Sequence, residues 1–256
     1  KQILKSNDCR PMLPFQIKIC GVTNVDDTSW ACECGADAVG LNFYQKSKRF
    51  VDFDQAFAIA AAIDRYNKGR KSSTAAVKKV GVFVEMPVAD LLETSLNLRL
   101  DGIQLHGDEE PGVVNAIRSG LSENGQRCFL IRAIRSLPKD LASAAETEHE
   151  TARLSTEIER WVSVGIDVVF LDAAMPGEYG GTGKVVDIAN ISRIKSDVPL
   201  VLAGGLNPSN VAAAIEESGL AAVDVASGVE LAPGFKDPEK VKAFVHCASR
   251  SFQENR

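Results

Sequence analysis

The chain has 256 residues and a formal net charge of −5. A single (β/α)8 barrel commonly has about this length, and a chain of this size buries a large core without disulfide support. The negative charge argues against a nucleic-acid partner, because such proteins present basic surfaces. No apolar run reaches the ~20 residues of a membrane helix, and residues 1–8 lack a signal-peptide core. We therefore expect a cytoplasmic protein with no membrane partner.

The six cysteines follow neither a disulfide framework nor a zinc-binding spacing. Cys32-Glu33-Cys34 is one residue short of a C-x-x-C motif, and no histidine lies near it. This pattern favours a reduced chain with no metal and no cofactor.

Short apolar runs that end in small or polar residues alternate with longer stretches of helical periodicity, which predicts βα units. The eight predicted strands are 16–22, 38–44, 79–85, 101–106, 128–134, 167–172, 199–204 and 222–227. Helices are predicted at 53–67 and 239–250, where apolar residues recur at i, i+3, i+4 and i+7. Asn207-Pro208 and Asp237-Pro238 are typical of helix starts.

Eight βα units predict an α/β fold consisting of a single (β/α)8 TIM barrel over residues 1–256. A doubly wound open sheet is the competing architecture, but no Gly-x-Gly-x-x-Gly follows the first strand. Three segments are additions to a minimal barrel. These are an N-terminal extension at 1–14, a polar loop at 66–78, and a long helix at 138–163 in the fifth βα unit, with Leu154, Ile158 and Trp161 on one face.

The active site of such a barrel lies where the strands end, which gives a set of candidate residues. Cys20 ends the first strand and Asp172 the sixth, so a thiol and a carboxyl could act as base and acid on one molecule. Taken alone, Cys20 fits a core residue better than a catalytic one, and Asp172 fits a loop cap equally well. The remaining candidates are Arg49 after the second strand, Gln104 and His106 in the fourth, and Arg132 in the fifth.

Glycine turns follow the last two strands, at Gly204-Gly205 and at Ser227-Gly228. Loops at these two positions often bind phosphate in (β/α)8 barrels, so we favour phosphate binding over simple turn chemistry. The loop after the sixth strand contains Gly180, Gly181, Thr182 and Gly183, a composition suited to an active-site lid. Its spacing does not match a P-loop, which argues against nucleotide hydrolysis.

Seven motifs, in order, resemble those of the phosphoribosylanthranilate isomerase family over about Gln16 to Val245. They are Lys18-Ile19-Cys20-Gly21-Val22-Thr23, Gly35-Ala36-Asp37-Ala38-Val39-Gly40, Lys46-Ser47-Lys48-Arg49, Gln104-Leu105-His106-Gly107, Gly180-Gly181-Thr182-Gly183-Lys184, Gly204-Gly205-Leu206-Asn207-Pro208 and Val225-Ala226-Ser227-Gly228-Val229-Glu230. The ordered set is far more specific than any one motif.

The resemblance implies an isomerase of tryptophan biosynthesis that performs an Amadori rearrangement of N-(5-phosphoribosyl)anthranilate. By position in the motifs, Cys20 matches the general base, Asp172 the general acid, and Arg49 the group that meets the anthranilate carboxylate. The two glycine turns match the phosphate site, and Gln104 and His106 are expected to contact the substrate. The expected partner is a phosphorylated small molecule, and the expected assembly is a monomer or a homodimer.

Several alternatives stay open at this point. Indole-glycerol-phosphate synthase would need a catalytic lysine on an inner strand; Lys18 lies inside the first strand, but it flanks Cys20 in the isomerase-like motif. A metal-dependent epimerase would need paired histidines and aspartates at strand ends. A non-catalytic sugar-phosphate binder could use the 138–163 helix for a partner. A second isomerisation, on a histidine-pathway substrate, would need room for a second phosphate. The sequence shows one clear glycine-lined phosphate position, so we favour a single substrate.

Overall fold

The computed structural model describes residues 13–71, 75–136, 144–172 and 191–255. Eight parallel strands form a closed barrel in the order β1 to β8, as predicted. The strands are β1 (Ile17–Cys20), β2 (Ala38–Asn42), β3 (Lys78–Phe83), β4 (Gly102–Leu105), β5 (Phe129–Arg135), β6 (Val168–Asp172), β7 (Leu200–Ala203) and β8 (Val223–Val225).

Helices follow most of these strands in the described ranges. They are α1 (Val25–Cys34), α2 (Phe53–Gly69), α3 (Val88–Leu98), α4 (Val113–Glu123), α5 (Ala144–Ser163), α6 (Val211–Ser218) and α7 (Pro238–Glu254). Between β8 and α7 lie a 3-10 turn (Ser227–Val229) and an antiparallel pair, β9 (Glu230–Ala232) and β10 (Phe235–Lys236). None of the helices described here is long and apolar enough to cross a membrane.

The barrel strands alternate between two buried environments. In β1, Ile17 and Ile19 join the apolar layer under the helices, so Lys18 and Cys20 face the barrel interior. The lower interior is filled by a separate apolar cluster that includes Phe15 and Phe170, whose ring centroids lie 6.0 Å apart. Polar groups that face inward above this cluster therefore have apolar side chains beneath them.

The helix starts show how far local sequence signals decide the boundaries. Asp237 caps α7 as predicted, because its side chain accepts from the amides of Glu239 and Lys240, with proline in the first turn. The helix start predicted at Asn207-Pro208 is wrong: the regular helix begins at Val211 with Asn210 as its N-cap, and the Val211 amide donates to the Asn207 carbonyl at 3.1 Å. The second helix continues to Gly69, so it takes the first residues of the loop expected at 66–78.

The long helix of the fifth βα unit is described from Ala144, and its expected face is confirmed. Leu154, Ile158 and Trp161 are 0%, 1% and 2% exposed. The start of that predicted helix at 138–143, most of the predicted extension (1–12) and the predicted lid residues 180–183 lie outside the described residues.

Candidate active site

One pocket opens at the C-terminal rim of the barrel, and most of the predicted site residues line it. The lining side chains and turns are Cys20, Gly21, Asn42, Tyr44, Arg49, Val82, Val84, Gln104, His106, Asp172, Ala203, Gly204, Gly205, Leu206, Asp224, Val225, Ala226 and Ser227. The structure therefore brings together residues from seven of the eight barrel strands, which are far apart in the sequence. Whether each has its expected chemical role stays a prediction.

Cys20 lies directly beside a buried ion pair. Lys18, two residues earlier on the same inward face, donates from Nζ to Asp224 Oδ1 at 2.8 Å. The register of β1 against β8 aligns Lys18 with Asp224, so barrel closure itself creates this pair. Lys18 is fully buried and its Nζ lies 5.3 Å from the centroid of the Phe170 ring.

The thiol of Cys20 is subject to opposing influences. Burial raises its pKa above the ordinary value, and the Lys18 ammonium is the largest influence that lowers it. Burial also acts to lower the pKa of Lys18, but Asp224 and Cys20 together raise it above the ordinary value, which keeps the ammonium charged.

Arg49 enters the same pocket from the loop after β2 and is held by a carboxylate. Its Nε and Nη2 donate to Glu230 Oε1 and Oε2, both at 2.8 Å. The fully buried Lys236 donates to the same carboxylate at 2.8 Å. Burial acts to raise the pKa of Glu230, but the bonds from Arg49 and Lys236 outweigh it and lower that pKa. This arrangement fixes the plane of the guanidinium.

The Arg49 side chain crosses directly over Gly21. Gly21 has φ +69°, and a Cβ there would lie 2.4 Å from Arg49 Cδ. The glycine that follows Cys20 in the first motif is therefore required both by its left-handed backbone and by the arginine stem that crosses it.

Asp172 faces an imidazole whose orientation is set by a neighbouring amide. His106 Nε2 lies 3.2 Å from Asp172 Oδ2, and Gln104 Nε2 lies 2.9 Å from His106 Nδ1. Since the Gln104 amide donates to Nδ1, the network assigns the imidazole proton to Nε2, on the side of Asp172. Gln104 Oε1 and His106 Nε2 are buried without an aligned hydrogen bond among the described residues, so both can serve a ligand.

The two glycine turns meet at the rim. Gly204 and Gly205 have φ of +83° and +66°, conformations that favour glycine. A Cβ on Gly228 would lie 1.8 Å from the carbonyl oxygen of Leu206. The backbones of the two loops are therefore in direct contact, with no room for a side chain at Gly228. Gly228 thus packs behind the pocket wall, whereas Gly204, Gly205 and Ser227 line it.

Arg132, one of the sequence candidates, is not in the pocket, and that expectation was wrong. Its side chain points out of the barrel toward α5, where the guanidinium stacks 4.3 Å from the centroid of the Trp161 ring. It donates to Glu109 Oε2 at 2.6 Å and to the Gly107 carbonyl at 3.0 Å. The residues of β5 on either side of it, Ile131 and Ala133, are the ones that face the interior.

Sequence reasoning missed the charged groups that support the site. Asp224 was not a candidate, and neither Glu230 nor Lys236 was given a role, although all three are buried. One signal was present for Asp224: a lone carboxylate between two valines in the last strand matches a lone lysine between two isoleucines in the first. No group of three or more metal-ligating side chains is found in the part of the chain described.

Fold and pocket together define the class: a (β/α)8-barrel enzyme with a thiol, a carboxyl and glycine turns at the catalytic rim. The sequence model of the family described as N-(5'-phosphoribosyl)anthranilate (PRA) isomerase matches residues 17–247. The chain belongs to this family of isomerases of tryptophan biosynthesis, and the predicted enzyme class is confirmed.

Curated relatives and solved structures agree with this assignment. N-(5'-phosphoribosyl)anthranilate isomerase of Geobacter metallireducens is 36% identical over 233 residues, covering 91% of this chain and 98% of its own. The enzyme of that name from Myxococcus xanthus is 38% identical over 239 residues, covering 92% and 97%. The crystal structure of phosphoribosyl anthranilate isomerase from Thermotoga maritima has a TM-score of 0.72 at 32% identity, covering 92% of this chain and 99% of that one.

Proposed function

We propose that this pocket rearranges N-(5'-phosphoribosyl)anthranilate to 1-(2-carboxyphenylamino)-1-deoxyribulose 5-phosphate by general acid–base catalysis with Asp172 and Cys20. The observation that carries the proposal is that both side chains line one pocket with the glycine turns of β7 and β8. A related structure, at 30% identity and a TM-score of 0.67, is the isomerase in complex with the reduced form of that product.

Ring opening is the first step of the proposed mechanism. Protonated Asp172 donates its proton to the ribose ring oxygen, the C1'–O4' bond breaks, and the anthranilate nitrogen supplies the electron pair that forms the C1'=N bond of an iminium ion. The neighbouring His106 Nε2 lies 3.2 Å from Asp172 Oδ2 without an aligned hydrogen bond, and in this mechanism that bond forms when the substrate binds and orients the carboxyl. Proton transfer by a positioned group contributes roughly 10²–10⁴-fold to the rate.

Proton abstraction follows from the same cation. The iminium acidifies the C2' proton, and the Cys20 thiolate removes it, which gives an enolamine and a neutral thiol. The enolamine then tautomerises, with a proton added at C1' and lost from the C2' hydroxyl, to the ketose product. Asp172 begins the cycle with a proton and Cys20 ends it with one, so proton return between the two groups completes each turnover.

Anion recognition holds the substrate at its two ends. The Arg49 guanidinium has more N–H donors than its two bonds to Glu230 use, and these bind the anthranilate carboxylate. The turns at Gly204-Gly205 and Ser227-Gly228 bind the phosphate through backbone amides. Gln104 and His106 bind the ribose hydroxyls, and the loop containing Gly180, Gly181, Thr182 and Gly183 serves as the active-site loop.

The test is to follow loss of anthranilate fluorescence from the purified full chain mixed with the substrate. We expect turnover in the wild type and a loss of 10²-fold or more in kcat for Cys20→Ala and for Asp172→Asn. Cys247→Ala, on α7, is the matched control and should retain activity. An emission shift without consumption of the fluorophore would identify a bare binder and refute the proposal.

The proposed setting is a cytoplasmic, single-domain enzyme that binds a phosphorylated small molecule and no nucleic acid or membrane, as a monomer or a homodimer. Phosphoribosylanthranilate isomerase from Thermotoga maritima is described as dimeric. Analytical ultracentrifugation across protein concentrations distinguishes the two assemblies, and a larger oligomer would contradict the proposal.

A further inference from the structure

The mechanism leaves one chemical problem at Cys20: a base must be a thiolate, yet this thiol is buried in the barrel interior. Cys32, a cysteine without such a role, shows how strong this effect is: burial, the largest of the influences on it, raises its pKa to about 11. An ion that favours the thiolate must therefore lie close to Cys20, and the barrel supplies one beneath it.

Lys18 reaches the thiol from below. Its ammonium donates to Asp224 at 2.8 Å, and Cys20 is a further group that raises the pKa of this lysine. A Cβ placed on Gly40 would lie 2.8 Å from Cys20 Sγ and 3.0 Å from Lys18 Nζ, so the two atoms converge on the gap that this glycine leaves. A larger residue in the second strand would force them apart.

Lys18 does not line the pocket, whereas Cys20 and Asp224 do. It is 0% exposed, and its ammonium lies over the Phe170 ring, which favours the charged form of the lysine. Lys18 can therefore influence the reaction only through the groups that it holds.

Other charges also face the thiol and must be considered. Lys236, from β10, and Arg49, from the loop after β2, act on Cys20 over a longer range, and both are engaged with Glu230. Asp224 opposes the thiolate, and the coupling of Asp224 to Asp172 and His106 connects the base side of the pocket with its acid side. Of the cations, Lys18 has the largest effect on Cys20.

We propose that Lys18 is a positioning residue that stabilises the Cys20 thiolate, and that Asp224 holds the lysine in place. The ammonium stays protonated throughout the cycle and donates a hydrogen bond to sulfur, while the proton from C2' goes to Cys20. The inference rests on the proposed role of Cys20 as the base. Its test is independent of turnover, because it measures the thiol itself.

The experiment is the pH dependence of Cys20 alkylation by iodoacetamide in the folded chain, read by peptide mass spectrometry with the partly exposed Cys247 as an internal reference. In Lys18→Met the profile should move to higher pH, so that the alkylation rate at a fixed neutral pH falls by on the order of tenfold or more. In Asp224→Asn it should move to lower pH, because the amide still accepts the bond from Lys18 while the opposing charge is removed.

Opposite shifts are the result that a merely structural ion pair would not give. If Lys18 and Asp224 only stabilise the barrel, the two variants shift the Cys20 alkylation profile in the same direction or leave it unchanged from that of the wild type. Either result overturns the proposal. If Lys18→Met fails to fold, the double variant Lys18→Met/Asp224→Asn removes both charges together and should retain the upward shift.

The kinetic readout separates this inference from the proposed function. Lys18→Met should lower kcat by about tenfold or more and leave KM nearly unchanged, since the lysine lies outside the pocket lining. Opposite alkylation shifts in an enzyme that shows no turnover would uphold the Lys18 inference and refute the proposed function. If the variants had the same Cys20 alkylation profile as the wild type in an enzyme that shows turnover, the Lys18 inference would be refuted and the proposed function would stand.

Discussion

Arg49 and Glu230 form a two-pronged ion pair across the mouth of the barrel, with both N–H···O distances at 2.8 Å. The two residues are 181 positions apart in the chain. Lys236 binds the same carboxylate from the buried side, so the arginine is held by a group that is itself fixed. This relationship makes Glu230 the residue that orients the proposed carboxylate-binding group.

Replacing Glu230 by Gln should therefore weaken substrate binding more than it slows chemistry. The amide offers one acceptor oxygen and no charge, so the guanidinium loses its fixed plane. We expect KM to rise on the order of tenfold, with a smaller fall in kcat. Steady-state kinetics with the fluorescent substrate measure both, and Arg49→Lys, which keeps the charge but cannot form the two-pronged bond, should act in the same direction. A fall in kcat at constant KM would contradict this role.

The same carboxylate predicts a pH dependence of stability. Because the folded pKa of Glu230 is lowered, its contribution is fully present above the unfolded pKa and is lost as pH falls through the folded value. The free energy of unfolding of the wild type should exceed that of Glu230→Gln by a constant amount above about pH 5.5, and the gap should close on acidification. Urea denaturation of both proteins across this range provides the measurement. A gap that widens in acid would contradict the assignment.

The strand pattern shows what the sequence could and could not determine. All eight strands and the barrel were predicted, because runs buried on both faces and glycine-rich strand ends are strong signals. Because both faces of these strands are buried, the sequence did not show which residues face the barrel interior and which face the helices. Successive side chains of a strand point to opposite faces of the sheet, so a shift of one residue exchanges the two faces. Arg132 was therefore taken as a pocket candidate although its side chain lies outside the barrel.

The supporting charges were missed for a different reason. Lys18 and Asp224 become partners only when β1 pairs with β8, and that register is a product of barrel closure. Glu230 meets Arg49 through loops whose paths no local spacing determines. Cys20, Asp172, Gln104 and His106 were found because strand ends are marked in the sequence.

The packing of Gly228 against Leu206 predicts an effect on phosphate recognition. A methyl group at Gly228 would collide with the Leu206 carbonyl oxygen, which is backbone and cannot turn aside. Gly228→Ala should separate the two turns, raise KM for the substrate by tenfold or more, and abolish competitive inhibition by inorganic phosphate. Gly112→Ala is a suitable control, since a Cβ there meets open space. Retained inhibition by phosphate in Gly228→Ala would place the anion elsewhere.

His106 should affect the acid side of the reaction. Its Nε2 faces Asp172, and the Gln104 amide at 2.9 Å from Nδ1 fixes the ring. His106→Asn is expected to lower kcat by roughly 10–100-fold. Gln104→Leu should lower kcat less and also raise KM, because it removes the bond that orients the imidazole and a proposed contact with the ribose. If His106→Asn retained the wild-type kcat, Asp172 would be shown to act without the imidazole.

Arg132 offers the converse prediction, a large effect on stability without one on chemistry. The residue is 6% exposed, and its guanidinium lies over Trp161 and pairs with Glu109. Removing one partner of a buried pair typically costs about 3–5 kcal/mol, because the other charge is left uncompensated. Arg132→Met should lower the free energy of unfolding by about that amount, and Arg132→Met/Glu109→Gln should recover part of it. In both proteins the folded fraction should keep the wild-type kcat, since the cluster lies between β5 and α5, outside the pocket lining. A selective loss of kcat at full stability would return Arg132 to the active site.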